Sequence, residues 1–203
     1  MLPIIKSVYE KVVQLFPEDS GKRELLYVRR NWIFPQHIDI MIELIESMCS
    51  KYGGDIVVCQ LAAILHDTGL VYKRTSESSK GHEERSLEYA EQLLKELKFE
   101  KKIISSVLSC IRATEPENEP KTVNEKIVRT ADSLSQFISV HFIAKASFSE
   151  NIDDYFSWLS RKIDTNFKKI SFQEEQDAAR PTLKYYKEAL KRYYDSKERI
   201  NSK

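Results

Sequence analysis

Glycine and proline are scarce in this chain, five and six in 203 residues, and no segment sustains a period-two alternation of apolar and polar residues. Hairpins and strands depend on those signals, so a β-sheet architecture has little to build on. Cysteine is scarcer still. Cys49, Cys59 and Cys110 are an odd count, lie far apart and each sits inside an apolar helical pattern, which fits neither a disulfide framework nor a Cys-x-x-Cys zinc knuckle. They read as reduced core residues of a cytoplasmic protein. An excess of either charge is also missing: 32 Lys and Arg face 31 Asp and Glu, a net +1, so no global field draws the chain to nucleic acid or to an anionic membrane. Met1 to Phe16 interleave Lys6, Glu10 and Lys11 with Ile4, Val8, Val12 and Leu15. That is the pattern of an amphipathic first helix and not of a signal-peptide core or a membrane span.

Apolar residues at three- and four-residue steps run nearly throughout, and they predict an all-α fold, a compact multi-helix bundle. The length suits one well-buried core, and no linker divides residues 1–203. Ile38, Met41, Ile45, Met48 and Tyr52 trace one stripe that Gly53-Gly54 stops. The next helix, about Ile56 to Asp67, is apolar all round and therefore central. A polar loop over Tyr72 to Gly81 precedes a helix carrying Leu87, Ala90, Leu94 and Leu97. Another helix carries Ile103, Ile104, Val107, Leu108 and Ile111, and Glu115 to Pro120 can only be a loop. Thr122 with Glu125 is a capping-box signature for a helix through Asp132 to about Lys145. Two further helices are expected at about Asp153 to Lys169 and Ala178 to Lys197, with Pro181 in a first turn. On the last, Leu183, Tyr186, Leu190 and Tyr193 form a heptad-like seam expected to cover the core, with a homodimer contact as the alternative.

Against this background His66-Asp67, closing the apolar run Gln60-Leu61-Ala62-Ala63-Ile64-Leu65, is an energetic oddity. Burying polar groups costs several kcal/mol unless something satisfies them, and a cation satisfies an imidazole and a carboxylate together. His37 precedes Met41, Leu44, Ile45 and Met48 on one helical face, so its ring points inward. Asp132 follows Val128 and Ala131 in an equally apolar helix. Four buried polar groups on three helices ask for one common partner.

This order of His, then His-Asp, then a distant Asp resembles the HD-domain metal-dependent phosphohydrolase superfamily. Leu61-Ala62-Ala63-Ile64-Leu65-His66-Asp67-Thr68-Gly69 is similar to that family's helix and turn, and Lys126-Ile127-Val128-Arg129-Thr130-Ala131-Asp132-Ser133-Leu134 to its final ligand segment. The resemblance covers residues 32–143, with the C-terminal helices, 150–200, expected to pack on that core. It implies that His37, His66, Asp67 and Asp132 ligate one divalent metal ion, which could be Mn, Fe, Co, Ni, Zn or Mg. It also implies hydrolysis of a phosphate ester or anhydride of a small molecule, a nucleotide in the first place, by a phosphatase or pyrophosphohydrolase reaction. A non-catalytic, metal-containing ligand-binding or regulatory module is the alternative.

Two departures narrow the reading. Where two-metal members carry a further histidine, this chain has Ile111-Arg112-Ala113-Thr114, which favours one metal. Thr68-Gly69-Leu70-Val71 stands where the guanosine tetraphosphate hydrolases place a Glu-Asp pair, which disfavours that substrate. Asp67 is expected to orient the nucleophile, and His82, on the inner face with Ser86, Ala90 and Leu93, to protonate the leaving oxygen. Lys73 and Arg74 in the adjoining loop and Arg112 on the next helix are the candidate phosphate-binding residues. Arg85 has less to recommend it, and His141 reads as structural or at the surface. The basic C-terminal helix, with Glu188, Asp195 and Glu198 interleaved, reads as a solvated face and not as a nucleic-acid site.

Overall fold

The computed structural model describes residues 1–18, 29–72, 81–147 and 149–202, and every regular element among them is helical. After α1 (Pro3–Leu15), a short α2 (Arg30–Ile33) runs into a π turn (Phe34–Ile38) and on into α3 (Asp39–Tyr52). Helix α3 buries Met41, Ile45 and Met48 and stops at Gly53, whose φ of 79° is a left-handed conformation that glycine takes without steric cost. Then comes α4 (Ile56–Leu65), opened by the Asp55 carboxylate, which accepts the Val57 and Val58 N–H groups. From Val58 to Leu65 every residue is buried. As its all-round apolar sequence predicts, α4 is the central rod, packed against α1, α3, α6 (Lys101–Ala113) and α7 (Val123–Ile138).

Helix α4 ends two residues before the expected Asp67. His66 is its C-cap, and Asp67 stands between it and a 3₁₀ turn (Thr68–Tyr72) that packs on α5 (His82–Glu96). The approach of turn to helix is so close that a Cβ on Gly69 would lie 1.9 Å from the His82 carbonyl oxygen. Only a residue without a side chain fits there. The Gly69 N–H donates to Ser86 Oγ, and Arg85 Nε donates to the Gly69 carbonyl, so Arg85 pins the turn.

The capping box forms as expected: Thr122 Oγ1 accepts the Glu125 N–H, and the Glu125 carboxylate accepts the Thr122 N–H. Helix α7 ends at Ile138, however, short of Lys145. Ser139 is extended and its hydroxyl accepts the His141 N–H, starting a separate α8 (His141–Ala146), the way serine side chains divert a helical backbone. Following α9 (Ile152–Lys169), α10 (Gln173–Asn201) begins ahead of the expected Ala178, because Gln173 to Arg180 are mostly good helix formers. Pro181 therefore lies inside α10 and not in its first turn. It is tolerated because it is exposed, and the carbonyl it deprives of a partner belongs to exposed Asp177.

Two apolar clusters make up the core. One surrounds α4; the other, with Leu134, Phe137, Phe142, Leu159, Ile163 and Leu190, lies beneath α8, α9 and α10. Tyr186 and Leu190 are buried in it and Leu183 packs on it, so the α10 seam covers the core. Between α7 and α9 the packing turns polar, with Asn166 Nδ2 donating to Gln136 Oε1 at 2.6 Å and the Ser171 N–H to Thr130 Oγ1 at 3.0 Å. Among the described residues, no helix is long and apolar enough to cross a membrane.

Candidate metal centre

His37 enters from the π turn, an irregularity that turns up often at functional sites, while His66 and Asp67 come from the end of α4 and Asp132 from the middle of α7. They converge. His37 Nε2 and His66 Nε2 are 3.1 Å apart. Asp67 Oδ2 lies 3.6 Å from the first and 3.4 Å from the second, and Asp132 Oδ1 lies 3.6 and 3.9 Å away. His37, His66 and Asp132 are buried, whereas the Asp67 side chain keeps 17% of its surface exposed. Solvent reaches the cluster on the Asp67 side.

The hydrogen bonds behind the rings fix which nitrogen carries the proton. His66 Nδ1 lies 2.9 Å from the Ala63 carbonyl, which can only accept. His37 Nδ1 lies 2.8 Å from Ser135 Oγ, whose single hydrogen is donated to the Asp132 carbonyl. Both Nδ1 atoms are therefore donors, so a neutral ring at either position turns its Nε2 lone pair toward the other ring and two carboxylates. A cation satisfies such an arrangement, and His37, His66 and Asp132 offer ligand atoms within 4.8 Å of one another, with Asp67 Oδ2 beside both rings. Ligand atoms at ~2.1 Å from a shared cation stand ~3.0–3.4 Å apart at right or tetrahedral angles, close to the spacings found here. Oriented Nδ1–H bonds of this kind also stabilise imidazole as a ligand.

Electrostatics agree. Burial, with His66 alongside, pushes the His37 pKa down to about 4, keeping the ring neutral at neutral pH. Burial works against ionisation of Asp132, but the Lys169 ammonium, 2.6 Å from Oδ2, outweighs it and holds the carboxyl well below its usual range. Burial opposes ionisation of Asp67 as well, and the surrounding imidazoles, His66 foremost, reverse it. His37 is thus a neutral electron-pair donor between two carboxylates that are held ionised. That set is fit for a divalent cation.

A sequence profile of the HD domain matches residues 36–136, the span that contains all four residues. The chain belongs to the HD-domain superfamily. Its members are in general metal-dependent phosphohydrolases that bind divalent metals. In overall shape it is similar to the crystal structure of the Lin1889 protein from Listeria innocua, with a TM-score of 0.60 and 18% sequence identity over 93% of this chain and 92% of that one. At that identity the likeness shows the fold alone. Among curated protein sequences none matches.

Around the HD residues the structure sorts the other candidates. His82 Nε2 comes to 3.5 Å from Asp67 Oδ1 while its Nδ1 lies 3.0 Å from Glu83 Oε1, so it faces the cluster at its solvent-accessible edge. His82, Glu83 and Glu115 also place ligand-type atoms within 4.8 Å of one another, all three half-buried. Burial and then Glu83 push the Glu115 pKa up to about 7. Arg112 is not brought to the site. It is exposed, and its charge acts on Glu91 of α5, because the buried stripe of α6 is made by Ile104, Val107 and Ile111. Lys73 and Arg74 lie outside the described residues.

Two features went unread in the sequence. Lys169, at the last turn of α9, is buried against Asp132; its signal was the inward spacing of Leu159, Ile163, Asn166 and Ile170, which turns that end of α9 toward α7. His141, expected to be structural or at the surface, is half-buried beside Phe142 and Trp158. Burial pushes its pKa down to about 3, and it interacts electrostatically with His37, Asp132 and Asp67.

Proposed function

We propose that this HD domain is a divalent-metal-dependent phosphohydrolase acting on a small phosphate ester or anhydride, with a nucleotide as the first substrate to test. The carrying observation is the pair of Nε2 lone pairs fixed 3.1 Å apart between two carboxylates, with a third imidazole, His82, next to the more exposed of them. A divalent cation held by His37, His66, Asp67 and Asp132 would supply Lewis-acid polarisation of a phosphoryl oxygen and a nucleophile at neutral pH.

This chain's own side chains then divide the work. Asp67 Oδ1 points away from the histidine pair toward His82, so it can orient the attacking water and accept a hydrogen bond from it. His82 sits at the open edge, where the leaving oxygen would emerge, and can donate its Nε2 proton there. Glu83 Oε1, 3.0 Å from its Nδ1, orients the ring for this step. Lys169 touches Asp132 on the side away from the histidines, leaving Oδ1 directed at the cluster. The buried rear of the site excludes bulk water, which strengthens each of these interactions.

A panel of nucleoside mono-, di- and triphosphates, each with Mn, Co, Ni or Mg, tests this when phosphate and pyrophosphate release are read separately. Phosphate release identifies a phosphatase and pyrophosphate release a pyrophosphohydrolase. Metal-loaded protein that turns over none of the panel would leave the non-catalytic, ligand-binding reading in its place.

A further inference from the structure

Helix α9 carries an inward polar face that the four proposed ligands do not account for. Lys162, Asn166 and Lys169 lie four and three residues apart, spacing that puts them on one side of a helix. Lys169 reaches Asp132 at 2.6 Å, and Asn166 reaches the same carboxylate through Gln136, whose Nε2 lies 3.4 Å from Asp132 Oδ1. This face is therefore a side of the metal cluster.

Its charges do not balance. The Lys169 ammonium is matched by Asp132, but Lys162 makes no hydrogen bond or ion pair among the described residues. Lys162 is no freely solvated surface lysine: it is only partly exposed, protein atoms enclose it, and burial lowers its pKa. Its charge interacts with Lys169, Asp132, Asp67 and Glu115, so the ammonium lies within electrostatic reach of the cluster. Two ammonium groups on one face repel, and one that is largely enclosed without a direct partner is costly. Beside them Asn166 is wholly buried, and its Oδ1 accepts no hydrogen bond. The Gln136 contact fixes this amide's orientation, since Gln136 directs its NH₂ at Asp132 and its carbonyl at Asn166 Nδ2. A face with one ammonium that no carboxylate contacts directly and a free buried acceptor is complementary to an anion that carries a hydroxyl or a proton.

We propose that the Lys162–Asn166–Lys169 face of α9 is the substrate-anchoring wall of this site, with Lys162 binding a phosphate oxygen and the Asn166 carbonyl accepting a hydrogen bond from a phosphate or sugar hydroxyl. The inference rests on the phosphohydrolase reading and gives its substrate a defined side from which to be held. It moves the role expected of Arg112 to α9, which lies outside the span matched by the HD profile.

Inorganic phosphate, the common fragment of all candidate substrates, is the probe. Its dissociation constant for the metal-loaded protein is measured by calorimetry for wild type, Lys162→Gln and Lys162→Arg, with metal content determined on the same samples. Loss of one charge-assisted hydrogen bond is expected to weaken phosphate binding about tenfold or more in Lys162→Gln at unchanged metal content, and Lys162→Arg to restore most of it. As a second measurement needing no substitution, acetylation of Lys162 in the wild-type protein, read by mass spectrometry, is expected to slow when phosphate is present. Undiminished phosphate affinity in Lys162→Gln, absence of phosphate binding by the metal-loaded wild type, or acetylation of Lys162 indifferent to phosphate each overturns the inference. Lys162-dependent phosphate binding without hydrolysis of any nucleotide keeps this wall and removes the hydrolase reading; hydrolysis with no dependence on Lys162 does the reverse.

Discussion

Lys169→Met is the substitution whose outcome follows most directly from the geometry. The Lys169 and Asp132 side chains are 6% and 9% exposed and their charged atoms are 2.6 Å apart. At an effective dielectric of ~20 that contact is worth ~6 kcal/mol of attraction, part of which offsets the desolvation of the two ions. Methionine keeps the length and apolar volume of the lysine stem but leaves the Asp132 carboxylate buried without its ammonium partner, a defect that typically costs ~3–5 kcal/mol. The metal-free protein at neutral pH should lose that much, measured by urea denaturation after chelation. Two controls isolate the cause. Asp132→Asn in the Lys169→Met background removes the orphaned charge and should recover most of the loss, a coupling that a double-mutant cycle reads directly. A divalent cation should also recover part of it, because the bound ion is a second partner for the carboxylate. The wild-type advantage belongs to neutral pH: the folded-state pKa of Asp132 is depressed, so the unfolded chain binds the proton first and the contribution fades as pH falls below the usual carboxylate range. A loss under ~1 kcal/mol, or a double variant as unstable as the single one, would refute the reasoning.

Three further outcomes are expected. Gly69→Ala places a Cβ 1.9 Å from the His82 carbonyl oxygen, so the 3₁₀ turn must part from α5 at a cost of ~1–3 kcal/mol; thermal melts should show it, and a wild-type melting temperature would refute a close packing of turn on helix. His66→Ala and Asp67→Ala should each strip bound metal, read by elemental analysis after gel filtration, and full occupancy in both would sink the proposed ligand set. The metal-free protein should lose stability as pH falls from about 6.5 toward about 4, because His37, held near 4 when folded, takes up its proton on unfolding. The effect reaches ~3 kcal/mol for a depression of that size. Denaturation midpoints that stay flat across that window would contradict a neutral, buried His37.

How far the sequence disclosed this molecule depends on the distance over which each interaction acts. The Thr122–Glu125 box and the Gly53 stop are contacts within a few residues, and each appears where local spacing put it. The all-round apolar pattern of α4 made it central, and the His-Asp pair at its end stood out because two polar groups there needed a partner. Elements that turn on competition were harder. Ser139 ends α7 because one hydroxyl captures a backbone N–H, and Pro181 sits inside α10 because the residues before it favour helix more than the proline opposes it. The Lys169–Asp132 contact spans 37 residues and exists only after α9 has packed on α7; within α9 alone, the inward spacing marks the face of Lys169 but not its partner. Arg112 erred in the opposite sense, a cation next to an inward stripe but one step off it.

That distinction locates the boundary of the functional unit. The HD profile ends at residue 136, yet the site continues past it: Asp132 leans on Lys169, and Gln136 on Asn166. Both links join α7 to α9 behind the proposed ligands. Without α9, Asp132 would keep its place in the sequence pattern and lose the cation that holds it ionised in a dry interior. The four-residue motif therefore supplies the donors, whereas the C-terminal helices supply the charge that makes one of those donors an anion. Variation along the Lys162–Asn166–Lys169 face should accordingly change what the site binds without changing which residues hold the metal.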